Sequence, residues 1–335
     1  MNQITIAILN YNGLGLLKQF LPGVVERSTN QLVAVVDNGS TDGSLDWVKQ
    51  AFPSVQLIPL RENKGYAGGY NEGLKSITTP YIVLLNNDVE VSTNWLDDPI
   101  KIFENQPEVS AVQPKILNFS KRAQFDYAGA AGGFLDRLGY PFCRGRVFET
   151  IEEDNHQYDE ITPIVWASGA CLFLRRVEFD RLGGFDESFF AHMEEIDLCW
   201  RIWRSGKQVV FCPTSTVFHL GGGTLPAGNP RKVYLNFRNS LSLLFKNLTS
   251  NQLMVRLPLR FALDAVAAIR FLWQGNGSSA SKVFGAWLDF LSNLKKEKEK
   301  RRKTSPWKYG STELVERTDS IVLRYYLAGK RKFSD

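Results

Sequence analysis

Leu32-Val33-Ala34-Val35-Val36-Asp37-Asn38-Gly39-Ser40-Thr41-Asp42-Gly43-Ser44 is the stretch whose reading decides the fold. Five apolar residues in a row, rich in valine, read as a strand buried on both faces, since a half-buried strand would alternate. The run ends on a carboxylate. Gly39 and Gly43 then allow a tight turn, and Ser40, Thr41 or Asp42 can cap a helix opening at Ser44. The same unit repeats to either side. Ile4–Leu9, Val55–Leu60 and Tyr81–Leu85 are further apolar runs, with helical patterns near Leu14–Val25, Ser44–Phe52 and Ala67–Ile77 between them. Such alternation predicts an α/β domain with a mostly parallel sheet and helices on both faces. Sheets of this kind bind ligands at the carboxyl ends of their strands. There the sequence places Asn10-Tyr11-Asn12, Asp37-Asn38-Gly39, Arg61-Glu62-Asn63 and Asn86-Asn87-Asp88, a polar cluster at each of four strand ends.

Residue chemistry sharpens this candidate site. Asp37, at a strand end, is poised to accept a hydrogen bond from a ligand such as a base imide N–H. Asn63-Lys64-Gly65-Tyr66-Ala67-Gly68-Gly69-Tyr70-Asn71 reads either as a glycine loop for phosphate at a helix N-terminus or as close helix–sheet packing. It lacks the Gly-Lys-Ser/Thr ending of a Walker loop, and no dinucleotide fingerprint follows the first strand. Asp88 offers an oxygen ligand for a hard cation bridging a diphosphate, or a cap for the next segment. In Glu194-Glu195-Ile196-Asp197, helical geometry pairs Asp197 with Arg201 at i,i+4 and leaves an acid free to act as a general base. His219, before Gly221-Gly222-Gly223, is a second candidate metal ligand. His156 and His192 carry no assigned role.

The remainder is of two kinds. From about Gln113 to Thr162 the chain is irregular and rich in glycine and aromatics, open to loops, added strands or a lid. Beyond Tyr234 it reads as helical, over Leu241–Leu248, Leu253–Trp273 and Ser281–Lys300, with Gly275–Ser279 as a linker. Charge divides likewise. Residues 1–224 hold 19 Lys/Arg and 27 Asp/Glu, net −8, whereas residues 225–335 hold 21 and 8, net +13. The expected division is therefore a catalytic domain over 1–225 and a basic helical region over 226–335. That region either packs on the body or lies on a membrane surface with Lys295–Lys303 at anionic headgroups. Basic and aromatic residues do not interleave there, so nucleic-acid binding is not expected. Four cysteines without CxxC spacing read as reduced core thiols. With no signal-peptide pattern and no spanning apolar run, the expectation is a cytoplasmic protein, peripheral at the inner face of the membrane.

Taken in order, five elements resemble family 2 glycosyltransferases with the GT-A fold, especially the rhamnosyltransferase-like branch of bacterial polysaccharide synthesis. They are Asn10-Tyr11-Asn12, Asp37 to Ser44, Asn63 to Gly69, Asn86-Asn87-Asp88, and Gly183-Gly184-Phe185-Asp186-Glu187 leading into Glu194-Glu195-Ile196-Asp197. The resemblance covers roughly residues 3–225. It implies a Rossmann-like sheet, a dTDP- or UDP-sugar donor, a glycan or lipid-linked acceptor, and a Mg2+ or Mn2+ cofactor. It implies that Asn10, Tyr11, Asn12, Asp37, Asn63, Gly65, Gly68, Asn71 and Asn87 bind the nucleotide sugar. Asp37 would read the uracil or thymine ring and Asn87 the ribose. Asp88 and His219 would hold the metal, Glu195 would be the base of an inverting displacement with Glu194 orienting the acceptor, and Trp166, Ser168 and Gly169 would line the acceptor side. Two departures stand out: Asn86 and Asn87 replace acids common in the metal motif, and the base motif reads Glu-Glu. A catalytically silent nucleotide-sugar-binding or scaffold subunit is the alternative. A dinucleotide-dependent oxidoreductase is disfavoured by the missing fingerprint.

Overall fold

A computed structural model describes residues 3–221, 229–304 and 319–335. The first unit follows the expected alternation. Strand β1 (Ile4–Asn10) leads to helix α1 (Leu14–Glu26), β2 (Leu32–Asp37), α2 (Ser44–Ala51), β3 (Gln56–Pro59), α3 (Gly65–Gly73) and β4 (Tyr81–Asn86). These strands are parallel, in the order β3-β2-β1-β4. Ile4, Ile6, Ala7, Ile8, Ala34, Val35 and Val36 are all buried, as continuous apolar runs covered on both faces should be. The chain order reverses between β1 and β4, so the ligand crevice expected of such a sheet opens above Asn10 and Asn86.

Beyond β4 the sheet turns mixed. β5 (Val89–Val91), α4 (Asp97–Asn105) and β6 (Val109–Asn118) follow. Next comes a small antiparallel sheet of β7 (Gly133–Leu135), β8 (Pro141–Cys143), β9 (Arg146–Val147) and β10 (Thr150–Ile151). The chain then returns through β11 (Thr162–Pro163), β12 (Cys171–Arg175), α5 (Arg176–Arg181), α6 (Glu194–Arg204) and β13 (Gln208–His219). Among the described residues the larger sheet has nine strands, β12 running antiparallel between β4 and β6, and β13 pairing with β6 in parallel and with β5 in antiparallel. The stretch expected to be irregular from Gln113 thus begins as the end of a buried ten-residue strand. The strands β7 to β10 are only two or three residues long, too short to register as a pattern.

Helices α7 (Pro230–Asn247), α8 (Ser250–Trp273), α9 (Gly277–Ser292) and α10 (Leu294–Lys303) complete the described fold with a short helix, Ile321–Tyr326. Asn229 caps α7 and a Thr249–Gln252 capping box starts α8. Helix α7 is bolted to α6: Lys246 Nζ lies 2.9 Å from Asp197 and 3.1 Å from Asp186, and Asn247 donates to Asp197 at 3.0 Å. The chain end folds back, with Ile321 in a cluster with Phe142 and Val147, and Phe333 against Phe134 and Phe142.

Candidate functional site

At the chain reversal, three strand-end side chains form a relay. Asn87 Nδ2 donates to Asn10 Oδ1 at 2.9 Å, and Asn10 Nδ2 donates to Asp37 Oδ1 at 3.1 Å. Asp37 Oδ2 accepts from the Ser40 backbone N–H at 2.9 Å. The carboxylate is thereby oriented and keeps further acceptor capacity. Asn12, with φ 48°, accepts from the Thr41 N–H at 2.8 Å and so ties the first strand end to the turn after β2. Tyr11 stands half exposed at the rim of this crevice.

Asn63 to Asn71 behave otherwise. The amide N–H groups of Tyr66 and Ala67, at the start of α3, both point at the Phe190 carbonyl, at 2.7 and 3.4 Å. A carbonyl of the same chain therefore occupies the place expected for phosphate. Gly65, with φ +71°, is needed there, since a Cβ would lie 2.5 Å from that oxygen. Asn63 accepts from Gly65 N–H and from Asn38, and Asn71 bonds Phe185 and Glu187. Gly68 abuts Lys64 and Glu187, and a Cβ at Gly69 would sit 2.8 Å from Leu9. Of the two readings left open for this loop, the packing one fits the contacts. Its residues brace the strand ends and carry the base loop.

On the other side of β4, Asp88 is buried and its Oδ1 has no hydrogen-bond partner, but lies 3.3 Å from His219 Nε2. Backbone pairing sets this geometry: His219 opposes Val89, and the Leu220 N–H donates to the Asp88 carbonyl at 3.0 Å. The other imidazole nitrogen, Nδ1, is held by Asp126 Oδ1 at 2.9 Å. Burial alone would depress the imidazole pKa, but Asp126 and Asp88 overcome it and raise it to about 10. Without an ion the protonated imidazole pairs with both carboxylates; loss of the Nε2 proton would leave Nε2 and the Asp88 oxygen as a donor pair that fits a divalent cation, with Asp126 orienting the ring. Gly222 to Thr224 lie outside the described residues. A separate group, Asp154, His156 and Asp159, brings three ligand atoms within 4.8 Å of one another. Lys115 already bonds both carboxylates there, at 2.8 and 2.6 Å.

The third part is the acidic helix start. Phe190, His192 and Met193 all have positive φ, a dense group of non-glycine strain immediately before α6. Asn239, buried on α7, holds this loop: its Nδ2 lies 3.0, 2.9 and 2.7 Å from the carbonyls of Phe189, Ala191 and His192. The loop delivers Glu194 and Glu195, each with an Oε2 buried and without partner. Burial pushes Glu195 up to about 7, and burial together with the charge of Glu195 pushes Glu194 well above the usual carboxylate range. Asp197 is their opposite. Burial works against its charge, but Lys246 and Arg201 hold it below the ordinary range, with Arg201 Nε at 2.8 Å in the expected i,i+4 pair. Burial and the lysine at 232 keep His192 neutral down to about 4.

Contacts join the three parts. Tyr66, whose phenol pKa is pushed up by burial, donates to the Gly169 carbonyl at 2.7 Å. The next carbonyl, Ala170, accepts from the Asn86 N–H at 3.0 Å. The loop before α6 thus reaches the end of β4 through Phe190, Tyr66 and Gly169. The other two acceptor-side residues, Trp166 and Ser168, are buried. Trp166 packs against Gly133 with its indole N–H given to the Phe134 carbonyl at 2.9 Å. The Ser168 N–H donates to Gln113 at 2.8 Å. The Ser168 hydroxyl oxygen accepts from the Ala170 N–H at 3.2 Å. The expectations lacked Asp126, in a segment without pattern, and Asn239 and Lys246, assigned to a separate tail.

Residues 5–164 match the family model described as glycosyl transferase family 2. The N-acetylglucosaminyl-diphospho-decaprenol L-rhamnosyltransferase of Mycobacterium tuberculosis is 29% identical over 222 residues, 61% of this chain and 71% of that protein. A low-salt glycan biosynthesis hexosyltransferase of Haloferax volcanii is 24% identical over 251 residues, 71% and 74% of the two chains. Among solved structures, GalNAc-T7 with UDP, GalNAc and Mn2+ superposes with a TM-score of 0.59 at 17% identity, covering 73% of this chain but only 48% of that one. The mannosyltransferase PcManGT of Pyrobaculum calidifontis with GDP-Man and Mn2+ gives 0.53 at 17% identity, covering 86% and 87%. Sheet order and structural likeness agree on the GT-A fold, and over residues 5–164 the chain is similar to glycosyltransferase family 2, with a rhamnosyltransferase among its relatives.

Proposed function

We propose that this glycosyltransferase inverts the anomeric carbon of a dTDP- or UDP-sugar, with rhamnose the favoured sugar, and delivers it to a lipid-linked glycan of cell-surface polysaccharide synthesis. The observation that carries this reading is the half-buried Glu195 side chain, with one buried, unpartnered carboxylate oxygen and a pKa pushed up to about 7. Such a group has the proton affinity of a general base at neutral pH, and an acceptor hydroxyl would satisfy its free oxygen. In the reaction the acceptor oxygen attacks the anomeric carbon while Glu195 takes its proton. The bond from that carbon to the diphosphate breaks, and the nucleoside diphosphate leaves with the electron pair. Attack opposite the leaving group inverts the centre. Glu194, still protonated, donates a hydrogen bond that orients the acceptor.

On the donor side, the Asn87–Asn10–Asp37 relay holds the nucleoside, Asp37 accepting the imide N–H common to uracil and thymine. Asp88 and His219 would hold Mg2+ or Mn2+, which supplies charge neutralisation for the diphosphate. Rhamnose and a lipid diphosphate acceptor are favoured by the likeness to the Mycobacterium tuberculosis rhamnosyltransferase. Among the described residues no helix is long and apolar enough to cross a membrane, so access to a lipid-linked acceptor is assigned to surface attachment through the basic C-terminal region. Glu195→Gln tests the base. Nucleoside diphosphate release in the presence of acceptor should fall at least ~10²-fold with donor binding retained. An unchanged rate would remove Glu195 from the mechanism.

A further inference from the structure

Helix α8 buries a charged pair beside Leu253 and Ala268 and exposes apolar residues. Its buried side carries Arg260 and Asp264, paired at 2.8 Å. Asp264 also accepts from Tyr140 at 3.2 Å and from the Trp287 indole at 3.0 Å, and the Arg260 guanidinium lies 3.9 Å over the Tyr140 ring. These contacts fix the helix's rotation, so its outward face is no accident of loose docking. That face is apolar. Val255, Leu259, Val266, Ile269, Leu272 and Trp273 lie within an arc of about 140° at 100° per residue, with Val255 62%, Val266 61% and Trp273 86% exposed. On α9, Phe284, Leu288 and Leu291 are also about half exposed or more. A helix in water places its charges outward and its apolar residues inward. The reverse order points to a medium other than water on the outer side.

A groove borders this face. Val255 and Leu259 form one wall, and Arg137, Arg256 and Arg324 line it with Leu323 and a single carboxylate, Asp319, around a volume of about 690 Å³. It offers guanidinium groups beside hydrocarbon, the pairing that an anionic lipid presents in reverse. Two copies of the chain are poor partners for each other here, because residues 225–335 carry net +13 and would repel. An anionic bilayer is attracted by the same charge. A nearly fully exposed tryptophan at the end of the apolar face suits the headgroup boundary.

We propose that α8 and α9 form the bilayer-docking face of the protein, lying in the plane of the interface, with anionic phospholipid headgroups at the Arg137–Arg324 groove. This deepens the surface-attachment part of the reading above and requires no catalytic step. The test is flotation of the full chain with vesicles of phosphatidylcholine, alone or mixed with phosphatidylglycerol. Wild type should bind the mixed vesicles and bind the neutral ones more weakly. The pair Ile269→Gln with Trp273→Gln should lose about tenfold or more in partitioning, with circular dichroism and turnover of a soluble acceptor unchanged. Arg137→Gln with Arg324→Gln should lose the preference for anionic vesicles. Absence of wild-type binding, or equal binding by the apolar pair, would overturn the proposal. A dimer made monomeric by that pair, without vesicle binding, would assign the face to a second copy instead. Vesicle binding without any transfer would leave the docking face standing and count against the catalytic reading alone.

Discussion

Asn239→Asp changes one atom type at a place where the C-terminal region holds the loop leading into Glu194 and Glu195. The Asn239 amide is buried, and its two hydrogens serve three carbonyls at 3.0, 2.9 and 2.7 Å. A carboxylate of the same shape has no hydrogen to give when ionised and sets its oxygens against theirs. Two lost hydrogen bonds to buried carbonyls, at about 1–2 kcal/mol each, give a destabilisation of roughly 2–4 kcal/mol. The melting temperature should therefore fall by about 4–8 °C. The larger effect should be on turnover. The loop holds Phe190, His192 and Met193 at positive φ, a conformation that persists only while surrounding contacts enforce it. Once released, it relaxes, and Glu195 shifts with it. A displacement of about 1 Å at a reacting group costs on the order of 100-fold. Steady-state kinetics should show kcat falling by that order while the donor KM changes little, because the Asn87–Asn10–Asp37 relay does not touch Asn239. A variant with parental kcat and melting temperature would refute the claim that α7 positions the base.

Three other perturbations probe separate parts. Asp126→Asn keeps the shape behind His219 but weakens its hold on the imidazole, and should raise the Mn2+ concentration needed for half-maximal activity by about 10–100-fold, read by metal titration. Activity should rise with pH through about 7 and then level, since Glu195 acts only when ionised. Its folded pKa lies above the ordinary 4.5, so the stability linked to its protonation is present at low pH and lost as pH rises through about 7. A pH–rate profile beside a pH–melting profile should show these opposite trends at the same residue, and Glu195→Gln should flatten both. Lys246→Met removes a partner from buried Asp197 and should destabilise by about 3–5 kcal/mol in denaturant unfolding, whereas Lys75→Met, at an exposed pair with Glu72, should change stability by less than about 1 kcal/mol.

Continuous apolar runs made β1, β2 and β4 legible, because a strand buried on both faces leaves an unbroken signature. The polar residues that stop those runs made Asp37, Asn87 and Asp88 legible as well. The ring of contacts around them was not. Asn63 to Asn71 looked like a phosphate loop because glycines before a helix serve equally for anion binding and for close approach. Only the Phe190 carbonyl over the α3 amides separates the two. Trp166 and Ser168 sit in a segment that does approach the site through Gly169, yet burial turns their side chains to structural use. Asp126 lies between strands and has no periodicity to mark it. The basic tail read as one unit on charge alone, whereas α7 is bonded to α6 and the loop before it and α8 presents an apolar face. Net charge averages over both. The exposed apolar arc of α8 was present in the sequence as an amphipathic pattern, but which side faced the protein was decided by Tyr140 and Trp287, far away in the chain.

The central claim is transfer of a sugar with Glu195 as base. Its most direct measurement is nucleoside diphosphate release by the purified chain with Mn2+, a panel of thymidine and uridine diphosphate sugars, and an N-acetylglucosaminyl-diphospho-lipid acceptor. The account predicts acceptor-dependent release with one donor, an inverted anomeric centre in the product, and loss of both in Glu195→Gln. Absence of turnover with every donor from a folded sample, or full turnover by Glu195→Gln, would contradict it.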